Sequence, residues 1–359
     1  MGDFRQVSFT KDASFRDDVT KKVLESLRAN NRNSHADFAM VLKTILFFSL
    51  YFLCYYLLIT HSLKSIISMF ICYAFLGILL ALIGMNIMHD RVHGAYTKSR
   101  IWNAVLEFSL LFIGSESAIW KIEHNMLHHG FTNVEEIDQD INPRFLFRFS
   151  SNQPLRWFHR FQAFYAPLLY GLLLFEWLSI KDFMKIKEYS DLKLISTRRK
   201  AWILGMQIFI KKLIFHCLFL GIPLWLIPVS SWFIILGYCL MLFFGGLLMT
   251  LIFQLAHVVP LVQFSKAETT EIKTDFFSYQ LLTTANFATQ NKFVNWIFGG
   301  LNHQIEHHLF PGICHVHYPS IAPLVEESAR RFGLPYYSNE SLFTAIQAHF
   351  HFLRTLGKA

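Results

Sequence analysis

The chain has 359 residues, 53% of them hydrophobic and 38 of them phenylalanine, with a mean hydropathy of +0.34. An apolar fraction this high, gathered into long runs, excludes an ordinary soluble domain and points to an integral membrane protein. The formal net charge of +8 invites a nucleic-acid partner, but no Lys/Arg stripe or nucleic-acid motif supports one, and basic loops beside a membrane explain the excess.

Residues 1–40 are polar and mixed in charge and lack the apolar core of a signal peptide, which predicts a short cytoplasmic helix and a linker. Two apolar runs follow, 41–60 and 65–88, so close together that they form a helical hairpin. Each approaches the roughly 20 residues needed to cross a bilayer core of about 30 Å. The run 101–120 contains Glu107 and several Ser and Asn residues, and as a span it would put the histidines on its two sides across the membrane from each other. The run 161–180 is interrupted by Gln162, Pro167 and Glu176, and if it alone spanned, His257 would be inverted. Both are read as interfacial or re-entrant helices. A basic segment (Lys181, Lys185, Lys187, Lys193, Arg198, Arg199, Lys200) leads to a second hairpin, 207–226 and 232–256, turned near Pro228.

The fold class expected is all-α integral membrane: four transmembrane helices in two hairpins, with interfacial helices and a cytoplasmic helical cap holding the site. The membrane unit is 41–320, flanked by the segment 1–40 and a C-terminal helical segment, 321–359. The basic segment and Arg5, Lys11, Arg16, Lys21, Lys22, Arg28 and Arg32 outweigh Lys64 on the far side, so both termini face the cytoplasm. The five cysteines are scattered without a CxxC pair and read as small apolar packing groups.

Histidines recur near the ends of these runs: His89 and His93 in HDRVH, His124, His128 and His129 in HNMLHH, His257 in QLAH, and His307 and His308 in NHQIEHH. Residues four apart on a helix share a face about 5–6 Å apart, so His89 with His93, and His124 with His128, can each reach one metal. His129 and the pair His307/His308 aim in further directions. Imidazole suits iron, zinc, copper and nickel, and eight histidines exceed one tetrahedral zinc site, so two metals fit better. Glu135, Glu136, Asp138, Asp140 and Asp90 are candidates to orient imidazoles, although a solvated acidic loop has the same composition. His35, His61, His159, His349 and His351 read as capped or solvated, His216 as packed within a span, and His315 and His317 as supporting or loop residues. His303, Glu306 and His307 spell H-x-x-E-H, a zinc-protease pattern that leaves the earlier histidines unexplained.

HDRVH, HNMLHH and QIEHH resemble the three histidine boxes of the membrane fatty acid desaturases, and HHGFTNVEEIDQDI resembles the continuation after the second box. The resemblance covers about residues 40–320. GGLNHQIEHHLFP is its most specific string. Gln304, where many members carry histidine, looks like the front-end group, which places a double bond between an existing one and the carboxyl end. The absence of an HPGG motif and the short leading segment look like a stand-alone member without a fused cytochrome b5. The resemblance implies two non-haem irons held by His89, His93, His124, His128, His129, His257, His307 and His308, with Gln304 ranked below them and His303 outside the set. It implies O2 as co-substrate and a CoA- or lipid-linked fatty acyl chain among membrane lipids. Electrons would come from a separate donor, such as cytochrome b5 or ferredoxin with its reductase. An apolar tunnel lined by Phe and Trp would hold the chain, with Trp120 and Trp296 as candidates. A related di-iron hydroxylase or ketolase shares these boxes. A bis-histidine haem carrier needs histidines facing one another inside the spans.

Overall fold

A computed structural model describes residues 7–141, 145–266 and 270–358; Arg5 lies outside the described residues. Helix α1 (Ser14–Ala29) precedes four helices that, among the described residues, are long and apolar enough to cross a membrane: α2 (Phe38–Ile59), α3 (Ile66–Val92), α8 (Arg198–Leu226) and α9 (Ser231–His257). Between them lie α4 (Arg100–Ser109), α5 (Ser117–Trp120, continued by a π-helical stretch Lys121–His128) and the pair α6 (Trp157–Gly171) and α7 (Leu173–Asp191). The remainder is α10 (Phe276–Thr283), α11 (Lys292–Ile297), α12 (Gln304–Leu309), α13 (Tyr318–Arg331) and α14 (Leu342–Leu356).

Local chemistry sets several boundaries. The side chains of Asp37, Ser65 and Thr197 accept hydrogen bonds from Met40, Ser68 and Lys200 backbone N–H groups and so start α2, α3 and α8. The third apolar helix therefore begins at Arg198 and includes the apolar run 207–226. The expected start followed hydropathy, whereas the Thr197 cap winds the basic residues Arg198–Lys200 into the first turn. The apolar run 101–120 breaks at Gly114, which has φ +66°, and where a Cβ would come within 2.5 Å of Leu178. Helices α6 and α7 are bent by 47°, so their joint run makes a fifth span only if the pair crosses as one.

The two long hydrophobic helices α3 and α9 pack closely because glycines remove the side chains between them. A Cβ on Gly77 would lie 2.0 Å from the Met241 carbonyl oxygen, and one on Gly245 would lie 2.8 Å from that of Gly77. Small residues at a crossing are how helices gain contact in lipid, where burial from water contributes nothing.

Outside the spans, α1 packs Phe15, Val19, Val23 and Leu27 with Ile321, Val325 and Ala329 of α13 and Ile305 and Leu309 of α12. The beginning and end of the chain thus brace the short helix that carries the last histidine pair. Two small parallel strand pairs, Ser8–Thr10 with Glu271–Asp275 and Asn286–Phe287 with Ser338–Asn339, add to the all-α expectation. They tie the ends of the chain to the segment after α9.

Candidate metal centre

The eight histidines converge from four places. His89 lies on the last turns of α3, and His93 follows one turn on with ring centroids 4.7 Å apart. The second box lies on the π-helical stretch of α5, whose wider winding aligns residues five apart. His124 and His129 accordingly bring their Nε2 atoms within 3.3 Å, a pairing that α-helical spacing does not predict. His257 ends α9, and His307 and His308 sit on α12 with their rings at 81°.

Around the centre, donor atoms gather in overlapping groups: His89, His93, His124 and His307; His128, His257 and His308; and His124, His128 and Asp140. His124 and His128, which α-helical spacing turns toward one metal, are gathered with Asp140, and each also joins one of the two histidine groups. His129 lies between, with ring centroids 4.5 Å from His307 and 4.4 Å from His308. The His89 and His124 Nε2 atoms stand 3.2 Å apart.

Each group is held from behind. His124 Nδ1 donates to Asp140 Oδ2 (2.6 Å) and His128 Nδ1 to Asp138 (2.9 Å). His307 Nδ1 donates to the Tyr318 hydroxyl (3.2 Å) and His308 Nδ1 to Gln280 Oε1 (2.9 Å). Of the acidic candidates, Asp138 and Asp140 therefore meet imidazoles of the set. Asp90 instead accepts from His315 Nδ1 (2.8 Å) and Cys314 Sγ (2.9 Å), and Glu135 turns to Ser150 and Asn152. Cys314 is thus a hydrogen-bonding group rather than apolar filler.

Burial, then the neighbouring imidazoles, holds His93, His128, His129, His307 and His308 well below the ordinary histidine range. They are therefore neutral, the form that binds metals. Burial pushes the Asp140 carboxyl up, but the His124 hydrogen bond and the nearby Lys181 and Lys185 hold it below its usual range.

The inward atoms are the test of fit. Nε2 of His93, His128, His307 and His308 and Nδ1 of His129 are buried and have no hydrogen-bond partner. Buried polar atoms are seldom left so. The rings of His128, His307 and His308, anchored through Nδ1 with Nε2 left open, have the form that metal ions require. The donor set fits two metals.

Gln304 is 1% exposed and opens α12 beside this centre. With His89, His124 and His307 it lines a cavity of about 140 Å³ whose apolar walls are Met85, Trp120, Leu173, Trp177, Met249, Phe253 and Leu301. Trp120 stacks on His124 at 10°. Trp296 does not line this cavity; it packs on Phe47. The cavity also receives Gln254, whose Oε1 has no partner. Sequence reasoning passed over Gln254 and Phe253, although they precede His257 by three and four residues and so share its helix face.

The other histidines separate cleanly. His303 lines a different cavity, and Glu306, 3.4 Å from His303, is tied to Asn286 and Tyr336; neither joins the histidine groups. His159 and His349 are buried and hydrogen-bonded rather than solvated, His349 to the Tyr170 hydroxyl and the Val258 carbonyl. His216 packs within α8, bonded to Tyr238.

The sequence of residues 64–340 matches the family model for fatty acid desaturases. The chain is 34% identical to an acyl-lipid (8-3)-desaturase of Physcomitrium patens over 94% of its own length and 71% of that protein. It is 30% identical to an sn-1 linoleoyl-lipid 6-desaturase of Arthrospira platensis, covering 98% of this chain and 95% of that one. An sn-1 linoleoyl-lipid 6-desaturase of Synechocystis sp. is 31% identical, covering 99% and 98%. With the histidine centre, the adjoining apolar cavity and these relatives together, the chain belongs to the fatty acid desaturase family, oxidoreductases that introduce double bonds into fatty acyl chains.

Proposed function

We propose that this enzyme is a front-end, O2-dependent di-iron desaturase acting on a lipid-linked unsaturated acyl chain such as linoleoyl. The observation that carries this reading is the ring of neutral histidines whose inward nitrogens lack partners beside an apolar cavity. His89, His93, His124 and His307 would hold one iron, and His128, His257 and His308 the other, with His129 between and Gln304 at the edge of the first. Bound iron, with O2, two electrons and two protons, supplies the oxidant that an unactivated methylene requires and that redox-inert zinc does not.

The chain's own residues do the rest. Asp138, Asp140, Tyr318 and Gln280 fix the tautomer and tilt of four rings. Trp120, Trp177, Met249 and Phe253 exclude water and lay the acyl chain against the histidines, so that position selects the carbon. Names of the relatives, 6-desaturase and (8-3)-desaturase, support the front-end placement.

In the membrane, α2 with α3 and α8 with α9 form two hairpins, and α4 to α7 lie at the interface. The rest forms a cytoplasmic cap that receives electrons from a carrier protein such as cytochrome b5 or ferredoxin. The positive-inside rule supports this orientation, although it rests on fewer free charges than the sequence promised. Lys181 is paired with Glu123 and Lys185 with Glu188.

The test is expression in a host fed defined fatty acids, with new double bonds mapped by mass spectrometry. A new bond on the carboxyl side of an existing one is expected. Unchanged lipids, with iron and a working donor supplied, would sink the reading for the substrates offered.

A further inference from the structure

The group His128, His257 and His308 draws its members from three separate parts of the chain: the π-helical stretch after α5, the end of α9, and α12. Thr132 and Asn133, both buried just beyond the second histidine box, meet all three parts. The Thr132 hydroxyl lies 2.8 Å from the His128 carbonyl, 2.9 Å from Gln280 Oε1 and 3.2 Å from His308 Nδ1. The Asn133 backbone N–H donates to Asp138 Oδ2 (2.9 Å), on the carboxylate that holds His128. Its side-chain Nδ2 donates to the carbonyls of His257 (3.2 Å), Gln263 (3.0 Å) and Thr283 (3.3 Å). Three acceptors around one amide atom identify it as the nitrogen, because an oxygen there would face three others.

We infer that Asn133 is the positioning residue of this one histidine group: its amide sets His257 against His128 and His308, and so governs one metal site while leaving the other in place. This rests on the two-metal reading of the histidines. The His257 carbonyl closes α9, where no later turn of helix supplies a donor, and Asn133 supplies it. Thr283 ends α10, the helix whose Gln280 accepts from His308 Nδ1. One amide therefore ties the end of α9 to the helix that supports His308, while the same residue's N–H fixes the support of His128. The backbone suits the role: Asn133 has φ +57°, in the left-handed region that asparagine tolerates better than most residues. Among the described residues, neither Thr132 nor Asn133 hydrogen-bonds His89, His93, His124 or His307. In that group His124 leans on Asp140 and His307 on Tyr318.

Two variants of the full-length protein test this. Asn133→Gly removes the amide and keeps the backbone, because glycine adopts positive φ without strain; Asn133→Asp keeps the shape but turns a carboxylate toward three carbonyls. Each is stripped of metal, titrated anaerobically with ferrous iron against a chelator, and read by Mössbauer spectroscopy once loaded. Wild type should take up two irons tightly. Both variants should hold one iron at near wild-type affinity and the other roughly 10- to 100-fold more weakly, with the spectrum of one iron altered and that of the other retained. A merely structural role would lower both affinities alike, together with the melting temperature. Equal weakening of the two sites, or binding unchanged in Asn133→Gly, would overturn the assignment. Hydrogen exchange of the metal-free protein separates its failure from that of the two-metal reading. Asn133→Gly should speed exchange at residues 256–265 and 280–285 and leave 85–93 unchanged, whether or not iron binds. If wild type takes up no iron, the two-metal reading falls and this exchange pattern decides: the local change supports the positioning of His257 by Asn133, and a uniform or absent change overturns it.

Discussion

Two buried clusters of metal-capable side chains grow from neighbouring residues of α3. His89 leads into the histidine centre, and Asp90 leads into a group with Cys314 and His315 whose donor atoms are gathered just as closely. In the second group the open nitrogen of His315 is already taken. Lys43 Nζ donates to His315 Nε2 (2.9 Å), to Asn86 Oδ1 (2.7 Å) and to the Trp296 carbonyl (2.8 Å). In the histidine centre Nε2 of His93, His128, His307 and His308 has no partner, and Nε2 of His89 and His124 meets only other imidazoles. A collection of ligand-type residues is thus no sufficient sign of a metal site; lone pairs left over after the protein's own hydrogen bonds are counted make the difference. Lys43 does for Asp90 and His315 what ions would do for the eight histidines, and the cluster braces α2, α3 and the segment around His315.

Six substitutions, at four kinds of position, sharpen or break that contrast. The largest effect belongs to the open group: His128→Ala or His308→Ala should abolish desaturation and lower bound iron, read by product analysis and metal content. Full activity in either would remove that residue from the ligand set. Next come the supports. Asp140→Asn or Asp138→Asn should weaken iron binding by roughly 10- to 100-fold, measured by competition with a chelator; unchanged affinity would mean these carboxylates do not orient the rings. In the closed cluster, Lys43→Met should cost on the order of 3 kcal/mol of stability, because it leaves Asp90 buried without its cation. Iron per folded chain should remain near wild type, and its loss would merge the two clusters into one functional unit. Smallest is Cys314→Ala, which removes one weak donor to Asp90 and should change stability by about 1 kcal/mol or less, read from thermal melting in detergent.

Much of the centre was legible because its chemistry is local in sequence. HxxxH on a helix end, and adjacent histidines aimed apart, need only helical geometry to be interpreted, and the QIEHH string carries the family resemblance. The approach of His129 to His124 was not legible, since nothing in composition announces a π-helical turn in HNMLHH. Partners distant in the chain were equally hidden: Tyr318 behind His307, Gln280 behind His308, and Lys43 some 272 residues from His315. Hydropathy located the four long helices, and the Thr197 cap carries α8 back from the apolar run into charged residues. Charge counting placed Lys181 and Lys185 among the basic residues that set orientation, and the fold pairs them with Glu123 and Glu188.

The central claim is that the open nitrogens of eight histidines hold two irons. Elemental analysis of the purified full-length protein, with an optical spectrum of the same sample, tests it most directly. The account predicts about two irons per chain and no haem band, as an imidazole-rich set divided into two groups requires. A single zinc per chain, or a haem absorption band, would contradict it.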